Sequence, residues 1–369
     1  MAEESLLQVY DPFAYLYFLC IMRIPSTVQH IGCKGNIMST KSELLSILQD
    51  QYGSFVSGEK VASKLGLSRA AINKAAASLQ KAGYKILSRP NQGYKLLEKT
   101  DLLSREAILA SLGRPCRLYI EEGVGSVNEA IKKFPFDGSP LAFVDQRKGP
   151  CPGASVATGD TDRPGEGKGG GVYLRLAVCL SPCFAVSQVS FALMASALAC
   201  CLAMDEVAAS STKIQWLNDI YRNGKPVATM HTEALCQLET GRIDRLIVGL
   251  IVRCFPDEKK DPGLSEKKEA GFLADQTGAF SRATLAGRII HQLLAGLQGE
   301  ADIKQLPAAY RRRCFVIGKN IRILAPGAKK PIRARVLDVD EEGALVIEYM
   351  EGLHMREIVH LRNGQIFPD

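Results

Sequence analysis

The stretch Ser57-Gly-Glu-Lys-Val-Ala-Ser-Lys-Leu-Gly-Leu-Ser-Arg-Ala-Ala-Ile-Asn-Lys74 reads as two short helices joined by a tight turn. Val61, Ala62 and Leu65 recur at the spacing of one helical face, and Gly66 stops the first helix. Ser68 then offers a hydroxyl to the unpaired N–H groups that open the second helix. Ala71, Ile72, Ala75 and Leu79 face inward on that helix, which leaves Arg69, Ala70, Asn73 and Lys74 outward. Gly83 ends it, and Tyr84-Lys-Ile-Leu-Ser88 and Gly93-Tyr-Lys-Leu-Leu97 pair as strands across Arg89-Pro-Asn-Gln92. Helix, turn, helix and basic hairpin together make a winged helix-turn-helix.

Charge supports that reading. Residues 38–100 hold ten Lys and Arg against four acids, a net +6 that is nearly all of the chain's +7. Basic charge concentrated on one small module is the electrostatic footprint of a nucleic-acid binder. Ser68, Arg69, Asn73 and Lys74 on the second helix, with Arg89 and Lys95 on the wing, are the candidate DNA contacts.

Outward from this module the organisation is coarser. Residues 1–37 show no sustained period and read as an N-terminal extension, with Met38 as the expected natural start. Residues 101–306 open on a linker and a helix with Leu109 and Leu112 inward. Strands are expected near 118–120, 141–144, 172–180, 213–216 and 246–252, and long helices at 187–204 and 281–297. Residues 149–171 are too rich in Gly and Pro to form an element. Residues 307–369 read as a small all-β unit, with strands at Ile321-Arg-Ile-Leu324, Arg333-Ala-Arg-Val-Leu-Asp-Val339, Ala344-Leu-Val-Ile-Glu-Tyr349 and Met355-Arg-Glu-Ile-Val-His360. The basic run Arg311-Arg-Arg313 reads as a solvated end where that unit joins.

Several classes are argued against. The eleven cysteines include no C-x-x-C pair, and the nearest sets, Cys179/Cys183 and Cys200/Cys201, lie in apolar surroundings. Buried, reduced thiols in a cytoplasmic protein are expected, with no metal site. Residues 13–22 are too few to span a bilayer, and 189–204 run into Asp205-Glu206, as a core helix would. His231 and His291 have no partner motif.

Five strings then appear in order. Leu67-Ser-Arg-Ala-Ala-Ile-Asn-Lys74 with Gly93-Tyr-Lys-Leu96 is the first, and Gly125-Ser-Val-Asn-Glu-Ala130 the second. Gly169-Gly-Gly-Val-Tyr-Leu-Arg-Leu176, Ile214-Gln-Trp-Leu-Asn-Asp-Ile-Tyr-Arg-Asn-Gly-Lys225 and Gly343-Ala-Leu-Val-Ile347 follow. Residues 38–369 thereby resemble the bacterial biotin protein ligases that double as biotin operon repressors. Their corresponding strings are G/D-S-T-N-x-x-A, G-G-G-L-Y-L-S-L and K-W-P-N-D-x-x-V-N-G-K. The resemblance implies an α+β multidomain protein: a winged helix-turn-helix, a central mixed α/β domain like that of biotin and lipoate ligases, and a C-terminal SH3-like barrel. It also implies biotin and ATP with magnesium as cofactors, and operator DNA and a biotin carboxyl carrier protein as partners. Either a homodimer or a heterodimer with a true ligase is implied, without a membrane. Ser126, Asn128, Gln146, Gly149, Trp216, Asn218, Asp219 and Gly249 would line its ligand pocket.

The adenylation signature departs from that family. Where the family has G-R-G-R-R-G, this chain has Gly149-Pro-Cys-Pro-Gly-Ala154, and proline supplies neither a cation nor an N–H. Pro226 stands at the catalytic lysine position and Thr229 at a glycine. The family's G-x-G-x-N becomes Gly249-Leu-Ile-Val-Arg253. Each lost donor is worth about 10²–10³ in rate, so the losses compound. Beside a binding partner that lacks both the chemistry and the ligand, two outcomes stay open. One is a DNA-binding regulator with a pseudoenzyme domain. The other is an active bifunctional biotin-[acetyl-CoA carboxylase] ligase and repressor in which Arg163, Lys168 or Lys225 replaces the lost cations.

Overall fold

The computed structural model describes residues 40–97, 101–147, 171–237, 239–256, 271–299, 303–324, 330–352 and 354–368. Helix α1 (Thr40–Asp50) buries Leu44, Leu45 and Leu48. Helix α2 (Gly58–Leu65) starts at Ser57, whose Oγ accepts from Lys60 N, and stops at Gly66 in the left-handed region with φ 64°. Helix α3 (Arg69–Lys81) starts at Ser68, whose Oγ accepts from Ala71 N at 3.1 Å. It buries Ile72, Ala75, Ala76 and Leu79, whereas Ala71 is only half-buried. Strands β1 (Ile86–Arg89) and β2 (Gly93–Leu96) pair antiparallel as the wing. Helix α4 (Arg105–Leu112) follows, and Lys41 on α1 reaches its Glu106 at 2.6 Å.

The central domain is built on a seven-stranded sheet in the order β3-β4-β5-β9-β8-β7-β6. Its strands are β3 (Arg117–Glu121), β4 (Leu141–Asp145), β5 (Val172–Leu180), β6 (Lys213–Gln215), β7 (Asp219–Arg222), β8 (Lys225–Gln237) and β9 (Arg242–Phe255). Only the β3–β4 pair is parallel. One face carries Leu174, Leu176, Val178, Val248, Leu250 and Val252 into the main core. There it meets α6 (Val189–Ala208) and α7 (Arg282–Leu297), and α4 packs against α7. The other face is partly covered by the short α5 (Val127–Lys132), which closes a smaller core around Phe143, Ala177 and Ile247.

Helix α6 is long and apolar enough to cross a membrane by composition, but Ala192, Ala195, Ala199, Cys200 and Ala203 are buried in this core. Burial pushes the Cys201 thiol up to about 11. All eight described cysteines are free thiols, and six of them are buried.

Strand β8 is the largest element that sequence periodicity misses. Pro226, Thr229, His231 and Glu233 interrupt any apolar run, because one face of this strand belongs to a polar surface. It is reached through a two-residue turn in which Asn223 and Gly224 both have positive φ, 52° and 75°, the geometry of a type I′ hairpin.

Helix α8 (Leu306–Arg313) leads into an antiparallel sheet of β10 (Asn320–Leu324), β11 (Ile332–Val339), β12 (Leu345–Tyr349), β13 (Ile358–Leu361) and β14 (Gln365–Pro368). Its order is β13-β12-β11-β10-β14, a small β domain with one strand, β14, more than the sequence indicates. The run Arg311-Arg-Arg313 is not simply solvated. Arg311 Nε donates to Val339 O at 2.6 Å within the C-terminal unit, and Arg313 meets Asp205 at 2.6 Å, which ties that unit to the central domain.

Candidate functional site

Two surfaces carry the functional residues, and the first is the winged helix. Arg69, Asn73 and Lys74 are exposed on α3, and Arg89 is exposed on the wing. Arg89 and Lys95 both lie over the ring of Phe55, at 5.5 and 5.7 Å from its centroid. Sequence reasoning missed that ring, which orients the two wing cations. It also missed Glu59, which holds Arg69 at 2.5 Å with both side chains mostly exposed. Such an exposed pair is weak. Ser68 itself is committed to the cap.

The second surface is the polar face of the central sheet, organised by register into cross-strand rows. The inner row runs Tyr119, Phe143, Ala177, Gly249, His231. The middle row runs Glu121, Asp145, Arg175, Ile251, Thr229, Asp219. The outer row sets Tyr173 against Arg253.

In the inner row Gly249 is demanded by its neighbour, since a Cβ there would stand 1.7 Å from Asn128 Oδ1. The Asn128 amide lies over the glycine and donates to Glu233 Oε1 at 2.8 Å. Glu233 also receives Lys132 at 2.6 Å, and Lys132 in turn reaches Glu129 at 2.6 Å. Burial raises the Glu233 carboxyl, but the hydrogen bonds from Lys132 and Asn128 outweigh it and hold the group below its ordinary value. Asn128, Lys132 and Glu233 thus clamp α5 to β8. Ser126 caps α5, its Oγ accepting from Glu129 N at 3.3 Å.

In the middle row Asp145 is fully buried. Its Oδ1 accepts from Gly123 N and Arg147 N at 2.9 and 3.0 Å, and Arg175 approaches Oδ2 at 3.5 Å. In the outer row the Tyr173 phenol is raised by burial, against the lowering influence of Arg253 and Arg175 beside it. Arg253 is half-buried, and its Nε is buried without a hydrogen-bond partner, an omission that ordinarily costs about 1–3 kcal/mol.

The remaining expected pocket residues go elsewhere. Gln146 is exposed and gives its amide to Leu103 O at 3.0 Å. Trp216 is in the main core, its indole donating to Gly343 O at 2.9 Å across to the C-terminal unit. Asn218 donates to Met230 O at 2.6 Å. Lys225 and Pro226 form the end of the β7–β8 hairpin against Gly271, beside the Arg222–Asp275 fork. Gly149, Arg163 and Lys168 lie outside the described residues. Among the described residues no group of three or more His, Cys, Asp or Glu side chains is placed to hold a metal ion.

Two arginines on this side of the domain were not singled out from sequence. Arg175 was visible only as a departure from serine in the G-G-G-L-Y-L-S-L string. Arg282, nearly fully buried at the start of α7, left no local signal. Its Nε and backbone N take both oxygens of Asp101, at 2.6 and 3.0 Å, and its Nη1 donates to Tyr173 O at 2.8 Å.

Comparison with known proteins covers both surfaces. Residues 40–95 match the family model of a helix-turn-helix (HTH) domain. The chain is 26% identical over 326 residues to the bifunctional ligase/repressor BirA of Bacillus subtilis (strain 168), covering 85% of this chain and 95% of that protein. To the protein of the same name from Escherichia coli (strain K12) it is 24% identical over 319 residues, covering 83% and 91%. A solved biotin protein ligase from Aquifex aeolicus in complex with biotin and ATP aligns over 68% of this chain and 97% of its own, with 19% identity and a TM-score of 0.46.

Proposed function

We propose that the chain, which is similar over most of its length to the bifunctional ligase/repressors named BirA, acts as a DNA-binding transcriptional regulator whose ligase-like domain senses a ligand without adenylating biotin. The observation that carries the DNA-binding half is the exposed row Arg69, Asn73, Lys74 on a helix capped and packed as a recognition helix, flanked by a wing whose cations share one aromatic ring. The lost-turnover half is supported by Pro226, Thr229, Ile251 and Arg253 at signature positions. Divided at 38–100, 101–306 and 307–369, the three units would separate DNA reading, sensing and a C-terminal accessory surface. An operator-bound dimer in the cytoplasm follows from this reading.

Gel-shift capture of genomic fragments with the pure protein yields a bound operator, and its affinity falls steeply with salt. Arg69→Ala lowers the slope of log K against log salt by about one, as loss of one phosphate contact does. Unchanged binding by that variant removes α3 from the interface. The rival reading, an active ligase, rests on Arg163, Lys168 or Lys225, the last standing next to Pro226. Mass spectrometry of an apo biotin carboxyl carrier domain incubated with biotin, MgATP and this protein separates the two. An unmodified carrier, beside a genuine ligase that modifies it, supports the regulator. A modified carrier that becomes unmodified with Lys225→Ala establishes the rival.

A further inference from the structure

Lys41 meets Glu106 and the Tyr84 hydroxyl meets Ser104 Oγ at 2.7 Å where the winged helix joins the central domain. Beside these links the two surfaces stay apart, and a cleft of about 350 Å³ lies between them. Gln49 and Tyr52 at the end of α1, with Tyr84 and Leu96 at the wing, line it from the DNA-reading side. Val207 at the end of α6, with Phe280 and Thr284 at the start of α7, line it from the other. Small-molecule sites run from about 300 to 1,000 Å³ and concentrate at such domain interfaces. The lining decides what would fit. Glu206 and Arg288 are its only ionic residues, and they satisfy each other: Arg288 Nη2 and Nε both donate to Glu206, at 2.8 and 3.1 Å. An ion would have to break that pair to find a counter-charge. Leu96, Phe280 and the Tyr84 ring are nearly fully buried and make the walls apolar and aromatic. The Gln49 amide and the Thr284 hydroxyl are engaged by no other side chain among the described residues.

We propose that this cleft is a second small-molecule site, separate from the sheet face, which takes a neutral one- or two-ring aromatic compound carrying an amide, hydroxyl or ring N–H group. The rings pack against Phe280 and Tyr84, face or edge on, and the polar group meets Gln49 or Thr284, each of which can donate and accept. Burial raises the Tyr84 phenol, so that wall stays uncharged at neutral pH. Because its walls come from both modules, an occupant touches the DNA-reading head and the central domain at once and stabilises their junction by mass action. The site stands whether or not the central domain adenylates biotin.

The test is titration calorimetry on the full chain with indole, benzamide and p-cresol, against benzoate and benzylamine as charged counterparts, each with and without excess biotin. At least one neutral compound is expected to bind with a Kd of about 1 mM or tighter, about tenfold tighter than either ion, and with no competition from biotin. On methyl-labelled wild-type protein, nuclear Overhauser contacts from the bound compound reach both Leu96 on the wing and Val207 on α6. That measurement needs no substitution, so it stands even where a variant fails to fold. Ala279→Trp, which sets an indole against the cleft from its exposed side, lowers the affinity about tenfold or more with an unchanged circular dichroism spectrum. Met355→Trp, exposed on the C-terminal unit, leaves it as in wild type. The site is overturned if no neutral compound binds, if the ions bind as well, or if biotin displaces the compound. Contacts to one module alone, or wild-type affinity in Ala279→Trp, overturn it too.

Discussion

The winged helix and the sheet face solve the problem of presenting charge in opposite ways. In the winged helix the helix roles are set locally, since Ser68 caps Ala71, Gly66 ends α2 and Arg69 leans on Glu59, and only the wing cations look further, to Phe55. On the sheet face each role is set from far along the chain. Asn128 is positioned by Glu233 and dictates Gly249, while Asp145 answers Arg175. Substitutions in the first region should therefore act singly, whereas those in the second should act as rows.

The largest expected effect tests the distant coupling. Arg282→Met leaves Asp101 with only the backbone N–H of residue 282 and removes the guanidinium donor to Tyr173 O; breaking a buried pair from one side costs about 3–5 kcal/mol, read from urea unfolding. Gly249→Ala comes next. Its methyl must evict the Asn128 amide, an overpacking cost of about 1–3 kcal/mol. Combined with Asn128→Ala, the loss should be much less than the sum of the two singles; strict additivity would show that the row does not act as a unit. Ser68→Ala, by contrast, should cost about 1 kcal/mol as a lost cap, and the same amount with or without Gly249→Ala.

The smallest effect is a pH dependence. The folded Glu233 carboxyl lies below its ordinary value of 4.5, so its contribution to stability is complete above that pH and is lost as the pH falls through the folded value. Glu233→Gln should be less stable than wild type at pH 7, with the gap closing below about 4.5 as denaturation midpoints are compared. A gap that stays constant with pH would assign the difference to packing rather than to charge.

These contrasts explain what the sequence discloses. Caps, turn glycines and helical spacing lie within a turn or two of the residues they govern, so the two helices, the wing and the outward set Arg69, Asn73 and Lys74 were legible. So were the long apolar elements: β5 occupies the expected residues, and α7 fills the span expected at 281–297. Strand β8 was not, because of its inward positions Ala228, Met230, Thr232 and Ala234 only Met230 is large and apolar, which makes a faint alternation with Thr229, His231 and Glu233. Among the pocket residues, Trp216 and Gln146 matched by string yet engage Gly343 and Leu103, since a motif fixes residue type while register and packing fix direction. Arg175 and Arg253 become a pair only once β5 and β9 are aligned.

Arg282 gives the chain a mechanical property that neither region has alone. Its flat, inflexible guanidinium is a vertex shared by the first residue after the wing's connecting segment, the head of α7 and the strand end at Tyr173. Helix α1 also packs against α4, with Lys41 reaching Glu106, so the helix-turn-helix module meets the central domain through side-chain packing as well as through the connecting segment.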